Sequence, residues 1–384
     1  MHQNRQTSIN WTEIHLLSTF TIMPATQLLY QATFDSLHDK TTRAAIINAR
    51  ADLRLKEISK QCDQLTILQH FKPACDELLR LGFNCSHNFE GEFDLILFIP
   101  SKNKQQTLGW MADAMSHLVD GGKLLMACAN NYGAKSYESA LKKLAGSVSS
   151  SSKSKCRVFS ARKTDTLDEE LTAQWISNAR PGVIEGHGLI SQPGLFSWDR
   201  ADIGSQLLLQ HLPDALFGTG MDLCCGYGFL SVNILKSHPD IDSLYLVEAD
   251  RLALECAEQN IQTWQNKVEP HWLNAVTDPL PLKLDWVVCN PPFHSGQSQD
   301  IPLGQTIIAN ACNSLKRHGK LYMVANRKLA YEAVLDRMLM EHHAVVQEQG
   351  FKIIEASRGA NPRTKQRPAQ TTNEEGWDYD YEYE

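Results

Sequence analysis

The sequence predicts an α/β protein made of two tandem copies of one unit, and the observation behind this prediction is internal self-similarity. Residues 93–100 and, after a helical stretch, residues 121–130 parallel residues 284–292 and 319–326 in the carboxyl-terminal half. Each half therefore has a strand, a helix and a second strand in the same order, which is the pattern of a parallel sheet covered by helices.

The length and the composition agree with two domains. The chain has 384 residues, of which 42% are hydrophobic and 21% charged, as is typical of a soluble globular protein. We expect an amino-terminal copy over residues 1–185, a carboxyl-terminal copy over 186–358 and a tail over 359–384. No stretch is apolar enough to cross a membrane and no export signal is visible, so we expect a cytoplasmic protein. Because the cysteines form no C-x-x-C pair and the histidines lack ligand spacing, we expect reduced thiols and no metal.

The amino-terminal copy is the more basic one, with 21 Lys and Arg against 19 Asp and Glu in residues 1–187. Residues 142–163 contain no acidic residue and form a candidate phosphate-binding strip. Its candidate RNA-binding side chains are Lys142, Lys143, Lys153, Lys155 and Arg157. A solvated loop over residues 147–154, followed by a strand over 156–161, is an equally weighted alternative.

Asn290, Pro291, Pro292 and Phe293 form the candidate reaction site at the end of an apolar run. Residues 286–289 predict a buried strand, and two successive prolines must end it at the sheet edge where α/β proteins bind ligands. The amide oxygen of Asn290 and a proline carbonyl both accept hydrogen bonds, which suits a planar amino group, and Phe293 is placed to stack on the attached ring. A simple Pro-Pro turn with a core phenylalanine is the alternative.

A second group of residues has the spacing of a nucleoside site. Gly226-Tyr-Gly228 predicts a turn in which backbone approaches a ligand beside a helix amino terminus. Glu248 ends the next predicted strand at an offset from which a carboxylate accepts hydrogen bonds from both ribose hydroxyls, although a surface carboxylate remains the alternative. Asn274 follows the third strand, where its amide is placed to read an adenine edge. Ser231 occupies the position of a third fingerprint glycine, which disfavours a dehydrogenase.

Hydrophobic periodicity and turn residues predict the other elements of the carboxyl-terminal copy. They are a helix over residues 202–212, a strand over 221–225, a helix over 229–237, a strand over 243–247, a helix over 252–264 and a hairpin over 345–357. In the amino-terminal copy, Ile99-Pro-Ser-Lys102 replaces Asn-Pro-Pro-Phe and no glycine-rich turn follows the first strand, so we expect no chemistry there.

These motifs, in this order, resemble those of S-adenosylmethionine-dependent amino methyltransferases of the seven-stranded Rossmann-like class. The narrower resemblance is to the ribosomal RNA guanine-N2 methyltransferases, those of the small subunit first and of the large subunit second. It rests on Asp222-Leu-Cys-Cys-Gly-Tyr-Gly228, Pro193-Gly-Leu-Phe-Ser197, Asp202-Ile-Gly-Ser-Gln-Leu-Leu208, Asn290-Pro-Pro-Phe-His-Ser-Gly296 and Val324-Ala-Asn326. That family also has a degenerate amino-terminal copy of the class I methyltransferase fold.

The resemblance implies a role for each matched position. Asp222, Gly226 and Gly228 would hold the methionine end of S-adenosylmethionine, Glu248 its ribose and Asn274 its adenine. Residues 290–293 would receive the guanine amine. This chain departs from the family at Cys224, which stands where the family has its first turn glycine.

The expected reaction is direct methyl transfer from the sulfonium to the 2-amino group of a guanine in ribosomal RNA, and 16S RNA is the first expected substrate. Alignment and desolvation would supply most of the acceleration, and the amino-terminal copy would recognise the RNA or ribosomal subunit. We expect a monomer. Two alternatives stay open: the acceptor is a 23S RNA guanine, a nucleic-acid adenine or a protein glutamine, or the chain is a non-enzymatic RNA-binding protein.

From residue 359 onward the sequence has no apolar periodicity and ends in interleaved acidic and aromatic residues. Such a stretch cannot bury enough apolar surface to offset the entropy of ordering it, which predicts a disordered tail. Its acidic residues would either compete with RNA for the basic strip or only solubilise the chain.

Overall fold

The computed structural model describes residues 24–34, 36–37, 41–292, 300–338 and 340–359. In this part of the chain, no helix is both long and apolar enough to cross a membrane. All ten cysteines are free thiols. The predicted tail lies outside the described residues, except for Gly359.

The amino-terminal copy has a seven-stranded sheet with the order β3-β2-β1-β4-β5-β7-β6. Its strands are β1 (Thr41–Ile47), β2 (Cys62–Leu68), β3 (Cys85–Ser86), β4 (Phe93–Phe98), β5 (Leu118–Ala129), β6 (Ser149–Lys153) and β7 (Cys156–Arg162). Its helices are α1 (Pro24–Phe34), α2 (Arg54–Lys60), α3 (Lys72–Arg80), α4 (Lys104–Ser116), α5 (Ala134–Ala145) and α6 (Glu169–Ala179). The pairs among β1 to β5 are parallel, whereas β7 is antiparallel to β5 and to β6.

A small hairpin of β8 (Gly182–Val183) and β9 (Ile190–Ser191) leads to the carboxyl-terminal copy. Its strands are β10 (Gly218–Leu223), β11 (Ile241–Glu248), β12 (Val268–Trp272), β13 (Leu284–Cys289), β14 (Leu315–Asn326), β15 (Met340–Glu348) and β16 (Phe351–Arg358). Its helices are α7 (Ile203–Gln210), α8 (Phe229–Ser237), α9 (Arg251–Asn260), α10 (Asp300–Ser314) and α11 (Glu332–Arg337). The sheet order, β12-β11-β10-β13-β14-β16-β15, repeats that of the first copy, which confirms the predicted tandem fold.

Helices cover both faces of the second sheet, which explains the continuous apolar run of β13. Val288 packs with Leu254 of α9 in the core on one face. Val287 packs with Ile308 of α10 in the core on the other face. A strand buried on both sides needs apolar residues at successive positions, because successive side chains point to opposite faces.

Several predicted boundaries differ from the structure for local reasons. The strand predicted over residues 221–225 ends at Leu223, because Cys224 has a φ of 64° and leaves the extended conformation. The helix predicted over 252–264 ends at Asn260 and is followed by a 3-10 turn, Gln262–Trp264. The alternative of a loop over 147–154 is wrong, because residues 149–153 form β6, an exposed edge strand of serines that ends in Lys153.

The two copies meet through the same loop of each, the one that follows the second strand. Phe71 and Asp250 form an antiparallel bridge. On either side of it, Lys72 N–H donates to the Ala249 carbonyl at 2.8 Å and Arg251 N–H donates to the His70 carbonyl at 2.9 Å. The amino-terminal copy thus contacts the backbone directly after Glu248.

Candidate active site

Asn290 lies directly after β13, beside the first turn of α7. Its side-chain nitrogen donates to Asp202 Oδ2 at 3.0 Å and to Ser205 Oγ at 2.8 Å. Because a carboxylate accepts hydrogen bonds and cannot donate them, the amide nitrogen must face Asp202. Both amide hydrogens are used, and the amide oxygen Oδ1 is left as an acceptor without a partner in the described part of the chain.

Asp202 reaches Asn290 because it is the N-cap of α7. The same Oδ2 accepts a hydrogen bond from Ser205 N–H at 2.7 Å, so one carboxylate oxygen caps the helix and orients the amide. Sequence reasoning missed Asp202 and Ser205 as site residues. Both belong to the Asp202–Leu208 motif, and their spacing is that of a helix N-cap, but neither feature shows that this cap packs against a residue 88 positions away.

The prolines after Asn290 stop the strand as predicted. Pro291 is buried and Pro292 is exposed, and neither residue offers a backbone N–H that would compete for an acceptor. Phe293 lies outside the described residues, so its expected stacking role stays a prediction.

The turn after β10 brings backbone to the ligand edge of the sheet. Gly226 has a φ of 57°, and a Cβ built on it would meet no atom within 4 Å, so the space over this residue is open. Gly228 has a φ of 84° and caps α8, and a Cβ there would lie 3.2 Å from Ala257 Cβ. Gly226 thus leaves room for a ligand, whereas the need for glycine at 228 comes from conformation and from packing against α9.

Cys224 adopts the left-handed conformation that a glycine takes without strain. For a residue with a Cβ this conformation costs roughly 1–2 kcal/mol. A hydrogen bond with the Cys289 thiol, and then burial, raise the pKa of the Cys224 thiol well above its ordinary value. The thiol is therefore uncharged, and Cys224 lines the same cleft as Asn290.

Asp222 lies on β10 and is fully buried. Its Oδ2 accepts a hydrogen bond from Ser231 Oγ at 2.5 Å, while Oδ1 is buried without a partner among the described residues. Burial raises the pKa of this carboxyl to about 7. The hydrogen bonds from Ser231 lower the pKa, and the negative charge of Glu248 raises it further. An unsatisfied buried carboxylate oxygen is costly, and it suits a ligand cation.

The Glu248 carboxylate fixes the backbone of the turn and of the loop after β11. Its Oε2 accepts a hydrogen bond from Gly226 N–H at 2.8 Å, and its Oε1 accepts from Ala249 N–H at 2.7 Å and Asp250 N–H at 2.9 Å. A carboxylate offers about four acceptor positions, so only one remains. The ribose contact of Glu248 stays a prediction, and Oε2 is the atom with an acceptor position left for it. Burial raises the pKa of Glu248 despite the three N–H donors.

Asn274 follows β12 at the same edge of the sheet. Its side-chain Oδ1 accepts a hydrogen bond from Val276 N–H at 3.1 Å, and its backbone N–H donates to Asp278 Oδ2 at 2.9 Å. The side-chain nitrogen has no partner in the described part of the chain, so Asn274 can offer it as a donor to an adenine nitrogen.

An open cleft joins the cofactor turn to Asn290. Phe196, exposed to 64%, and Ser197 form part of its wall and were missed as site residues, although they belong to the Pro193–Ser197 motif. The groups around the turn fit S-adenosylmethionine: Asp222 Oδ1 suits its ammonium, open Gly226 its main chain, Glu248 Oε2 one ribose hydroxyl and Asn274 its adenine.

The amino-terminal copy keeps the geometry of the turn without these groups. Asn48 N–H donates to the Leu68 carbonyl at 2.8 Å, as Cys224 N–H donates to the Val247 carbonyl at 2.8 Å. By this register Ile46 replaces Asp222, and Gln69 replaces Glu248. The Tyr30 hydroxyl closes the turn by accepting from Arg50 N–H at 3.1 Å and donating to the Arg50 carbonyl at 3.0 Å.

The predicted basic strip is not one surface. Lys153 and Lys155 lie at the tip of the β6–β7 hairpin, at the carboxyl edge of the parallel strands, since Cys156 pairs with Ala129 at the end of β5. Lys142 and Lys143 lie in the last turn of α5, which runs back to the opposite edge. Arg157 forms an ion pair with Glu138. The two lysines of the hairpin tip are thus separated from the other candidates.

Two family models match the chain: "Methyltransferase small domain" at residues 186–355 and "Methyltransferase small domain N-terminal" at residues 35–178. A ribosomal RNA small subunit methyltransferase C of Psychromonas ingrahamii is 31% identical over 290 residues, which are 74% of this chain and 82% of that relative. The chain belongs to this methyltransferase family. A relative of the same name from Photorhabdus laumondii is 29% identical over 266 residues, 69% of this chain and 77% of its own.

A solved structure has the same two-copy fold. The Thermus thermophilus 16S rRNA N2 G1207 methyltransferase, solved with AdoMet and guanosine, has a TM-score of 0.72 at 20% identity and covers 88% of this chain and 92% of its own. Membership of the methyltransferase family confirms the expected enzyme class and cofactor, and it removes the non-enzymatic alternative. The role of each site residue stays a prediction.

Proposed function

We propose that this chain transfers a methyl group from S-adenosylmethionine to the 2-amino group of a guanine in 16S ribosomal RNA. The observation that carries this proposal is the fixed amide of Asn290. Asp202 and Ser205 hold its nitrogen, so that Oδ1 is an acceptor at the edge of the cofactor cleft. The named activities of the relatives support the choice of guanine and of the small subunit.

A guanine amine is a poor nucleophile because its lone pair is delocalised into the ring. Asn290 Oδ1 and the Pro291 carbonyl would accept its two hydrogens and favour the pyramidal geometry of the transition state. When bound, S-adenosylmethionine supplies an electrophilic methyl group. The residues of this chain align the amine with that group and exclude water, and the proton that the methylated amine loses passes to solvent.

In this proposal the amino-terminal copy, residues 1–185, contributes to RNA recognition, and the carboxyl-terminal copy, residues 186–358, performs catalysis. We further propose that the enzyme acts as a monomer in the cytoplasm. One chain supplies every site residue described above, and the proposed RNA substrate is cytoplasmic.

The proposal is tested by incubating the full chain with methyl-labelled S-adenosylmethionine and separate small and large ribosomal subunits. We expect label in the RNA of the small subunit, and labelling at least about tenfold slower with the Asn290→Ala variant. Label in the large subunit alone would contradict the proposed substrate, and equal label with the variant would contradict the proposed acceptor site.

A further inference from the structure

The amino-terminal copy has a second pocket at the carboxyl edge of its sheet, with a volume of about 330 Å³. Ile99, directly after β4, forms part of its apolar wall. Strand register places Ile99 where the other copy has Asn290, since Phe98 pairs with Ile47 as Cys289 pairs with Leu223. The pocket therefore occupies the position of the acceptor site.

Two small side chains keep this pocket open. Cys156, paired with Ala129, occupies the position of Phe351, which is paired with Asn326 at the end of β14. By the same register Ala127 occupies the position of Val324. In the catalytic copy, Phe351 and Val324 pack so closely on α7 that a Cβ on Gly204 would lie 3.2 Å from each. Their replacement by Cys156 and Ala127 leaves space beside α1.

The chemistry of the rim indicates the occupant. Lys102 and Lys155 line the pocket, and neither ammonium has a carboxylate partner among the described residues. Tyr132, exposed to 46%, offers an aromatic face at the same rim, and none of the lining residues is acidic. Apolar walls with one aromatic face suit a nucleobase, and the two cations suit the phosphates on either side of it.

We propose that this pocket binds one unpaired nucleotide of the substrate RNA, with its base stacked on Tyr132 and its phosphates beside Lys102 and Lys155. The inference rests on the proposed function, because it takes RNA as the substrate. Ile99 offers no side-chain acceptor for an amine, so the pocket binds without reacting. Stacking and charge carry the recognition, and little base specificity is expected.

The test compares two charge-matched variants of the full chain. Lys102→Ala/Lys155→Asn removes the cations of the pocket, and asparagine tolerates the φ of 58° at position 155. Lys56→Ala/Lys60→Ala removes the same charge from exposed positions on α2, outside the pocket. Affinity for a labelled single-stranded RNA is measured by fluorescence anisotropy at several salt concentrations. The pocket variant should reduce the slope of log K against log salt by about 1.4, and the control should not change it.

Tyr132→Ala tests the base itself. The loss of one stacked base should weaken RNA binding at least about fivefold with little change in the salt slope. Equal changes of the salt slope in the two lysine variants, or unchanged RNA affinity of the Tyr132 variant, would overturn the inference. Neither result would affect the proposed function as long as the wild type methylates ribosomal RNA. Absence of methyl transfer by the wild type would instead contradict the proposed function. Unchanged melting temperatures and S-adenosylmethionine affinities show that each variant is folded.

Discussion

The effect of Glu248→Gln can be worked out by comparison with the amino-terminal copy, which has a glutamine at the equivalent position. Gln69 occupies the equivalent position in the amino-terminal copy, where its Oε1 accepts from His70 N–H at 2.9 Å and Phe71 N–H at 3.0 Å. These contacts match those of Glu248 Oε1. A glutamine at 248 can therefore hold the loop after β11, but its nitrogen replaces Oε2, the atom that faces Gly226 N–H and has the remaining acceptor position.

The expected loss concerns ligand binding more than stability. A hydrogen bond to a charged group contributes about 1.5–3 kcal/mol, and the amide nitrogen of glutamine cannot accept one from a ribose hydroxyl. We take about 2 kcal/mol, which is roughly a 30-fold rise in Kd for S-adenosylmethionine. In the fold, Gly226 N–H loses its acceptor, but the neutral amide also avoids the cost of a buried charge, so the two effects partly offset each other.

Calorimetric titration measures Kd, and thermal unfolding measures stability. Glu255→Gln is the matched control, because it makes the same chemical change on α9, where Glu255 is half-exposed and pairs with Arg251 at 2.9 Å. The control should leave Kd unchanged. A Kd for Glu248→Gln within threefold of the wild-type value, with the fold retained, would refute a ribose contact of Glu248.

Three further predictions concern the same site. Asn290→Ala should lower kcat more than tenfold with unchanged cofactor affinity, whereas Ser205→Ala should lower kcat less, because Asp202 still holds the amide. Single-turnover kinetics measures kcat and calorimetric titration measures cofactor affinity. A kcat of Asn290→Ala above about a tenth of the wild-type value would contradict the role of Asn290. Cys224→Gly should tighten cofactor binding, because a residue that lines the cleft loses its side chain. The melting temperature should change little, since relieved strain and the greater unfolded-state entropy of glycine oppose each other; a higher Kd would count against this. Cofactor affinity should rise with pH between 5.5 and 7.5, because the ammonium needs ionised Asp222 and burial raises the pKa of that carboxyl to about 7. Titrations over that range should show the rise, and Asp222→Asn should abolish it.

Local sequence chemistry predicted which residues reach the ligand edge of the sheet. Two prolines end β13 at Asn290, and a glycine-containing turn begins α8, so both sites follow from the chain near them. It could not predict how those side chains are used. The amide of Asn290 is oriented by Asp202, 88 positions away, and Oε2 of Glu248 is engaged by Gly226, 22 positions away.

The basic strip shows the converse limit of sequence-based prediction, because residues that are close in sequence lie far apart in the structure. Lys142, Lys143, Lys153 and Lys155 are close in sequence, but a helix and a hairpin carry them to opposite edges of one sheet. Sequence proximity predicts a common surface only within one element, where the period fixes which side chains share a face.

Nucleoside analysis of the reaction product tests the central claim most directly. Small ribosomal subunits are incubated with the full chain and labelled S-adenosylmethionine, the RNA is digested, and the labelled nucleoside is identified by mass spectrometry. We predict N2-methylguanosine from 16S RNA with the wild type, formed at least about tenfold more slowly with Asn290→Ala. Label on adenosine, on a protein glutamine or at another atom of guanine would contradict the account.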